Sequence, residues 1–246
     1  MEILLEQQAR QNFFSDRSIS GSTSFRLPHF IHVFTSESNS AQIVIGQNGV
    51  PATIGTAAFI GPDSANLTAT SFTSTAVASV AVVAGKQQLG SISAGTGWTF
   101  GTVDRILFRV KLGSPAQSRY WIGINNDTAS SFAATWATDT PNFHFAAFRA
   151  KSAEGTIKAI CGRDSGPNFT LVDTGVPFDT TSWHNYEIVI TATLVTFLID
   201  GVVVAQISSN LPSAGDIAKW IILGDNLNTA TAIAVNVQLV TELFLL

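Results

Sequence analysis

Ser182-Trp183-His184-Asn185-Tyr186-Glu187-Ile188-Val189-Ile190 and Val195-Thr196-Phe197-Leu198-Ile199-Asp200-Gly201-Val202-Val203-Val204-Ala205 decide how this chain folds. Both runs are rich in β-branched and aromatic residues, the types favoured on a pleated, half-buried strand. The second run is broken by Asp200-Gly201, a dipeptide that tolerates positive φ and so suits a two-residue hairpin turn. A meander of strands is the reading.

Toward the N-terminus the same texture continues. Arg105-Ile106-Leu107-Phe108-Arg109-Val110, Arg119-Tyr120-Trp121-Ile122-Gly123-Ile124, Phe143-His144-Phe145-Ala146-Ala147-Phe148-Arg149 and Thr156-Ile157-Lys158-Ala159-Ile160 are short apolar runs bounded by Gly, Pro, Asn, Asp or Ser. Alternation puts Ile106, Phe108 and Val110 on one face and Arg105 and Arg109 on the other. Phe169-Thr170-Leu171-Val172 leads into Thr174-Gly175-Val176-Pro177-Phe178, read as a turn. Trp220 to Asp225 and Ala232 to Leu243 are the last two strands, the latter long. Earlier, Phe30 to Phe34, Gln42 to Ile45, Ala57 to Ile60 and the Thr/Val-rich run from Leu67 to Ala84 are β-prone, the last as one long or two short strands. Residues 1 to 25 stand apart: polar, helix-permissive, with a flexible Ser18 to Ser24 link. They are read as an N-terminal arm, extended or short-helical, ahead of a single domain over 26–246.

The Trp-His pair opening one strand and the Phe-x-x-Asp-Gly turn after the next resemble the concanavalin-like and laminin G-like β-sandwich (jelly-roll) family, most clearly over residues 105–242. The resemblance implies an all-β fold of two stacked antiparallel sheets. It leaves activity open, because such sandwiches host glycan binding, glycan hydrolysis and structural roles. Hydrolases of the family carry paired carboxylates on one strand, near Glu-x-Asp-x-x-Glu, and that chemistry needs carboxyls roughly 5 to 10 Å apart. No such run occurs here: Glu187 is alone in its strand, Asp200 belongs to a turn, and Asp104 and Asp127 lie in loop-like text.

Charged residues are 12% of the chain and the net charge is −4. That is about half the charged share of an average soluble protein. A neutral, hydroxyl-rich exterior offers little repulsion against self-association. The 13 basic residues are scattered among 17 acids, with no basic stripe for nucleic acid. Cys161 is the single cysteine, read as a buried apolar side chain. The first residues carry acids where a secretory signal needs a basic start, and no apolar run is long enough to span a bilayer.

Candidate sites are few. His29 and His32 lack ligand-spaced partners for zinc, and His144 is read as a solvated or interface residue. The resemblance to lectin-like members implies calcium over zinc, through the hard loop oxygens of Asn125, Asp127 and Asp225, but turn chemistry is the preferred reading of such residues. Trp183 and Trp220 are read as core residues and Trp136 as a candidate sugar-stacking ring. Leu4, Leu5, Phe13 and Phe14 of the arm are candidate interface residues. This combination resembles the β-sandwich proteins that decorate (cement) bacteriophage capsids or form tail appendages, and that resemblance implies a non-enzymatic virion structural protein without cofactor, a homo-oligomer, as a trimer, on the major capsid or another virion protein. The alternative is a lectin-like module that binds glycan with the help of calcium.

Overall fold

The computed structural model describes residues 28–33, 43–45, 56–62, 68–74, 80–85, 99–113, 117–126, 138–163, 168–216, 218–225, 227 and 233–244. The arm residues Leu4, Leu5, Phe13 and Phe14, together with Asp127 and Trp136, lie outside them. Among the described residues fifteen strands run in chain order: β1 Pro28–Val33, β2 Ile43–Ile45, β3 Thr56–Pro62, β4 Thr68–Ser74, β5 Val80–Gly85, β6 Val103–Leu112, β7 Arg119–Asn125, β8 Phe145–Lys151, β9 Thr156–Gly162, β10 Phe169–Pro177, β11 His184–Ile190, β12 Val195–Ile199, β13 Val202–Ile207, β14 Lys219–Asp225 and β15 Ile233–Phe244. The only helical turn among the described residues is a 3₁₀ turn at Ser152–Glu154.

Among the described residues every pairing is antiparallel, and the strands build two sheets. The first has the order β13-β12-β11-β6-β15-β4-β3, with β1 also on β15; the second has the order β10-β9-β8-β7-β14-β5-β2. The fold is the expected all-β sandwich of the concanavalin-like, jelly-roll kind. The length of β15 has a topological cause. One side of it runs along β6, while on the other side Ile233 to Val237 pair with β4 and Leu239 to Leu243 pair with β1. One twelve-residue strand therefore joins the first strand of the fold to its middle.

The deciding sequence behaves as its residue types require. Asp200 and Gly201 have φ of 51° and 80°, the left-handed pair of a type I′ hairpin turn between β12 and β13. The run 174–178 differs from the expected turn: β10 continues to Pro177. Gly175 there has φ 70°, and Asp173 Oδ1 accepts its N–H at 3.0 Å. A local bulge, marked by the register shift between Asp173 and Pro177, absorbs the turn signal without ending the strand.

Alternation fills the space between the sheets. Ile106, Phe108 and Val110 of β6, Tyr186 and Ile188 of β11 and Phe197 of β12 meet Tyr120, Ile122 and Ile124 of β7, Phe148 of β8 and Trp220 and Ile222 of β14. Phe148 links the two layers edge-on, with centroids 5.2 Å from both Phe197 and Tyr186. Each such side chain contributes about 1.5–3 kcal/mol on burial, so this seam holds the sandwich. Cys161 is buried in it and burial pushes its thiol well above the usual range, consistent with an inert apolar role.

Candidate functional site

The outward face of the second sheet is unusual. On an isolated two-layer sandwich it would be solvated, yet Trp121, Phe145, Ala147, Ile160, Ile221 and Leu223 form a second buried cluster there. Phe145 stands edge-on to Trp121 at 5.8 Å and to Phe143 at 5.7 Å. Gly162 leaves the room that the Phe145 ring occupies, since a Cβ at that position would overlap it.

Beside this apolar floor lies a charged network whose registers explain its geometry. Asp225 of β14, Arg119 of β7 and Lys151 of β8 are cross-strand neighbours in one row. In the next row Leu223, Trp121, Arg149 and Lys158 follow one another. Arg119 Nη2 lies 2.5 Å from Asp225 Oδ2, and Arg119 Nη1 donates to Asp139 Oδ1 at 2.7 Å. Lys151 Nζ donates to Asp139 Oδ2 at 2.7 Å, while Arg149 Nη1 donates to the Asp139 carbonyl at 2.8 Å. Arg149 Nη2 also pairs with Glu154 at 2.6 Å, and its guanidinium sits 5.9 Å from the Trp121 ring centroid. Lys158 is balanced by Asp173 at 2.5 Å. Burial would raise the Asp139 pKa, but the hydrogen bonds from Lys151 and Arg119 outweigh it and hold the carboxyl below the usual carboxylate range. Arg119 and Arg149 are almost fully buried, whereas Asp139 is 41% exposed. Asp139 is thus the solvent-side member of a cationic cradle.

A second polar constellation lies on the first sheet. Arg105 pairs with Glu187 at 2.9 Å, and Arg109 donates to Asn185 Oδ1 at 3.2 Å while its guanidinium lies 5.9 Å from the Trp183 ring centroid. At the adjoining end of the sandwich, His184 Nδ1 is 2.6 Å from Asp200 Oδ2 and His184 Nε2 is 3.3 Å from Asp179 Oδ2. Hydrogen bonds from Ser182 and Thr181 hold the Asp179 carboxyl far below its usual range. This imidazole ties β11 to the Asp200 turn and to the loop before the strand. Burial, reinforced by the charges of Asp200 and Asp179, pushes the neighbouring Tyr186 phenol well above its usual range.

Several residues singled out in the sequence sit differently from their expected places. His144 is buried, with Asp216 against its Nδ1 and its own N–H donating to Asn126 Oδ1 at 3.0 Å. Phe143 and Phe145 share the outward cluster, as alternation expects; it is the expected solvation of His144 that the structure corrects. Trp183 likewise precedes its strand and is half-buried under Arg109 rather than in the core, whereas Trp220 is a core residue. Asp104 belongs to β6 and is buried. The calcium candidates do not converge: Asp225 faces Arg119, and Asn125 faces Lys219 at the far end of the same strand pair, six residues or roughly 20 Å away. Asp225 is also committed to Arg119 and to the Leu227 N–H, at 2.9 Å. Among the described residues no group of three or more His, Cys, Asp or Glu is placed to hold a metal ion. Neither central strand carries paired carboxylates outward: β7 presents Arg119, Trp121, Gly123 and Asn125, and β6 presents Arg105, Leu107, Arg109 and Lys111.

Sequence reasoning passed over Arg119, Asp139, Arg149, Lys151 and Glu154. The period-2 signal was available for Arg119 with Trp121 and for Arg149 with Lys151, each pair sharing one face. Nothing local marks Asp139 as their partner.

No protein-family model matches the chain, and no curated protein matches it in sequence. Solved structures do match over nearly its whole length. The Crh5 transglycosylase is 14% identical with TM-score 0.58, covering 90% of this chain and 88% of its own. The Bacillus licheniformis β-glucanase is 10% identical with TM-score 0.57, covering 90% and 99%. A prokaryotic β-1,3-1,4-glucanase (lichenase) from a mouse hindgut metagenome is 11% identical with TM-score 0.56, covering 88% and 99%. At these identities the likeness establishes a shared fold. It also extends over more of the chain than the 105–242 segment legible in the sequence.

These neighbours overturn the expectation of a non-enzymatic virion part, whether capsid decoration or tail appendage. The physical premise behind it was a weakly charged, hydroxyl-rich exterior, and such a surface meets the hydroxyls of a sugar as readily as it meets another subunit. The expectation that the chain is no enzyme falls with it, because the full-length neighbours are glucanases and transglycosylases.

Proposed function

We propose that this chain is a carbohydrate-active β-sandwich protein that meets a glycan on the outward face of its second sheet. The observation that carries the reading is the whole-length likeness to a transglycosylase and two glucanases, each matched over about nine-tenths of this chain. The chemistry of the face supports it. Asp139 and Lys151 reach solvent there, 41% and 22% exposed, and such charged groups suit the paired hydroxyls of sugars, while the buried Trp121 and Phe145 rings form the floor beneath them. Six of the chain's 13 basic and 17 acidic side chains are gathered in the network of Arg119, Asp139, Arg149, Lys151, Glu154 and Asp225. In a protein so poor in charge, a buried ionic network is costly to keep for stability alone.

Arg119 brings the Asp139 and Asp225 carboxylates onto one guanidinium. Carboxyl pairs are the working parts of glycoside cleavage, where one member must carry a proton. The hydrogen bonds from Lys151 and Arg119 hold Asp139 ionised, so Asp139 does not supply that proton.

The test is a panel of β-1,3-1,4-glucan, β-1,3-glucan and chitin oligosaccharides, with retardation in affinity gels and chromatography of products as readouts. Binding, cleavage or chain transfer with at least one of them is expected. A protein that neither binds nor alters any glycan in the panel, or any acidic glycan, overturns the reading.

A further inference from the structure

We infer that Asp139 is an internal stand-in for the anionic group of an acidic glycan, and that Arg119, Arg149 and Lys151 form the site that takes the carboxylate or sulfate of that glycan. The inference rests on the carbohydrate reading above and names the class of sugar. Both oxygens of the Asp139 carboxylate are bound, one by Arg119 Nη1 and one by Lys151 Nζ, each at 2.7 Å. Its backbone carbonyl takes the third cation, Arg149, at 2.8 Å. An incoming carboxylate or sulfate presents the same oxygens to the same donors.

The charge count favours such an exchange. Arg119, Arg149 and Lys151 are three positive charges, and Asp225 and Glu154, their other partners, supply two negative ones. Lys158 alongside is already paired with Asp173. Without the Asp139 carboxylate the cradle keeps one uncompensated positive charge in a largely buried place, and a negative group is needed to neutralise it. The buried Nε atoms of Arg119 and Arg149 have no hydrogen-bond partner among the described residues, so the guanidiniums hold unspent donor capacity. Exposure separates the roles: the two arginine side chains are 5% and 6% exposed, while Asp139 is the accessible group. A buried cationic floor closed by one solvent-side carboxylate is the arrangement of an occupied anion site.

The experiment uses the full chain and the Asp139→Asn variant, which removes the charge and keeps the side-chain shape. Dissociation constants are measured by calorimetry for three oligosaccharides of equal length: one bearing glucuronate, one bearing sulfate and one neutral. Asp139→Asn is expected to bind one or both acidic ligands about tenfold more tightly than the unaltered chain, the effect of one charge-assisted hydrogen bond regained. Affinity for the neutral ligand does not rise. Adding Lys151→Gln to Asp139→Asn reverses the gain, and the two acidic arms tell carboxylate from sulfate. Asp139→Ser, which leaves a hydroxyl for Lys151, serves where the Asn variant does not fold. Folded variants with no gain for either acidic ligand overturn the inference, as does an equal gain for the neutral one, which would make Asp139 a steric cover. Neutral-glycan binding by the unaltered chain without any acidic gain leaves the carbohydrate reading standing and removes this one. An acidic gain in a protein inactive toward the whole neutral panel upholds both and removes only the neutral glucans as its ligands.

Discussion

Replacing Arg119 with methionine is the perturbation whose outcome follows most directly from the network. The change keeps much of the apolar stem and removes the guanidinium that faces Asp225 at 2.5 Å and Asp139 at 2.7 Å. The two carboxylates then fare differently. Asp139 is 41% exposed and regains water, so its share is small, as for any surface pair. Asp225 is 7% exposed and keeps, among the described residues, the Leu227 N–H, so it becomes a buried charge without a counter-ion. Breaking a buried pair from one side costs about 3–5 kcal/mol, which in a chain of this size lowers Tm by roughly 10 °C. The double variant Arg119→Met/Asp225→Asn removes both charges and should recover all but about 1 kcal/mol, because the penalty lies in the orphaned carboxylate and not in a lost attraction. Urea unfolding followed by tryptophan fluorescence measures both, with an unchanged m-value confirming that only stability has moved. A single variant that costs under about 1 kcal/mol would refute the reasoning, and so would a double variant no more stable than the single.

Three further outcomes follow. Gly162→Ala forces a methyl into the space of the Phe145 ring and should cost about 1–3 kcal/mol as an overpacked site; a neutral result by thermal unfolding would mean the aromatic cluster is loosely packed. Tyr186→Phe should be neutral or slightly stabilising, since the Tyr186 hydroxyl is buried without a hydrogen-bond partner among the described residues; a loss above about 1 kcal/mol would reveal a partner for it. Asp179 and Asp139 are held below the ordinary carboxylate range, and Asp173 at about 2. Depressed values contribute stability above the unfolded carboxylate pKa of about 3.9, and that contribution is lost as pH falls through the folded values. Stability should therefore hold from neutral pH to about pH 5 and fall below about pH 4, with a shallower fall in Asp179→Asn; identical acid slopes for the two proteins would contradict the assignment.

The architecture was legible because its signals are local. Alternation in Arg105 to Val110 and the positive-φ pair Asp200-Gly201 each fix a strand or turn within a few residues. Two residues at strand starts misled: Trp183 precedes its strand and is half-buried under Arg109 instead of in the core, and His144, with Asp216 against it, is buried instead of solvated. Gly175 misled in the other direction, since a glycine with left-handed φ reads as a turn and was used as a bulge. The candidate site was out of reach for a different reason. Arg119 meets Asp225 across 106 residues and Asp139 across 20, and such pairings depend on strand order, which no local pattern encodes. The function reading failed on a surface property, low charge, that several kinds of partner satisfy equally.

Which face of the sandwich meets the glycan is measured directly by a hydrogen–deuterium exchange footprint of the full chain with a bound oligosaccharide. New protection is expected around Asp139, in the Lys151 to Glu154 turn and along β7 and β8. Protection confined to the Trp183, Arg109 and Asn185 side of the first sheet would contradict the assignment of the second sheet's outward face.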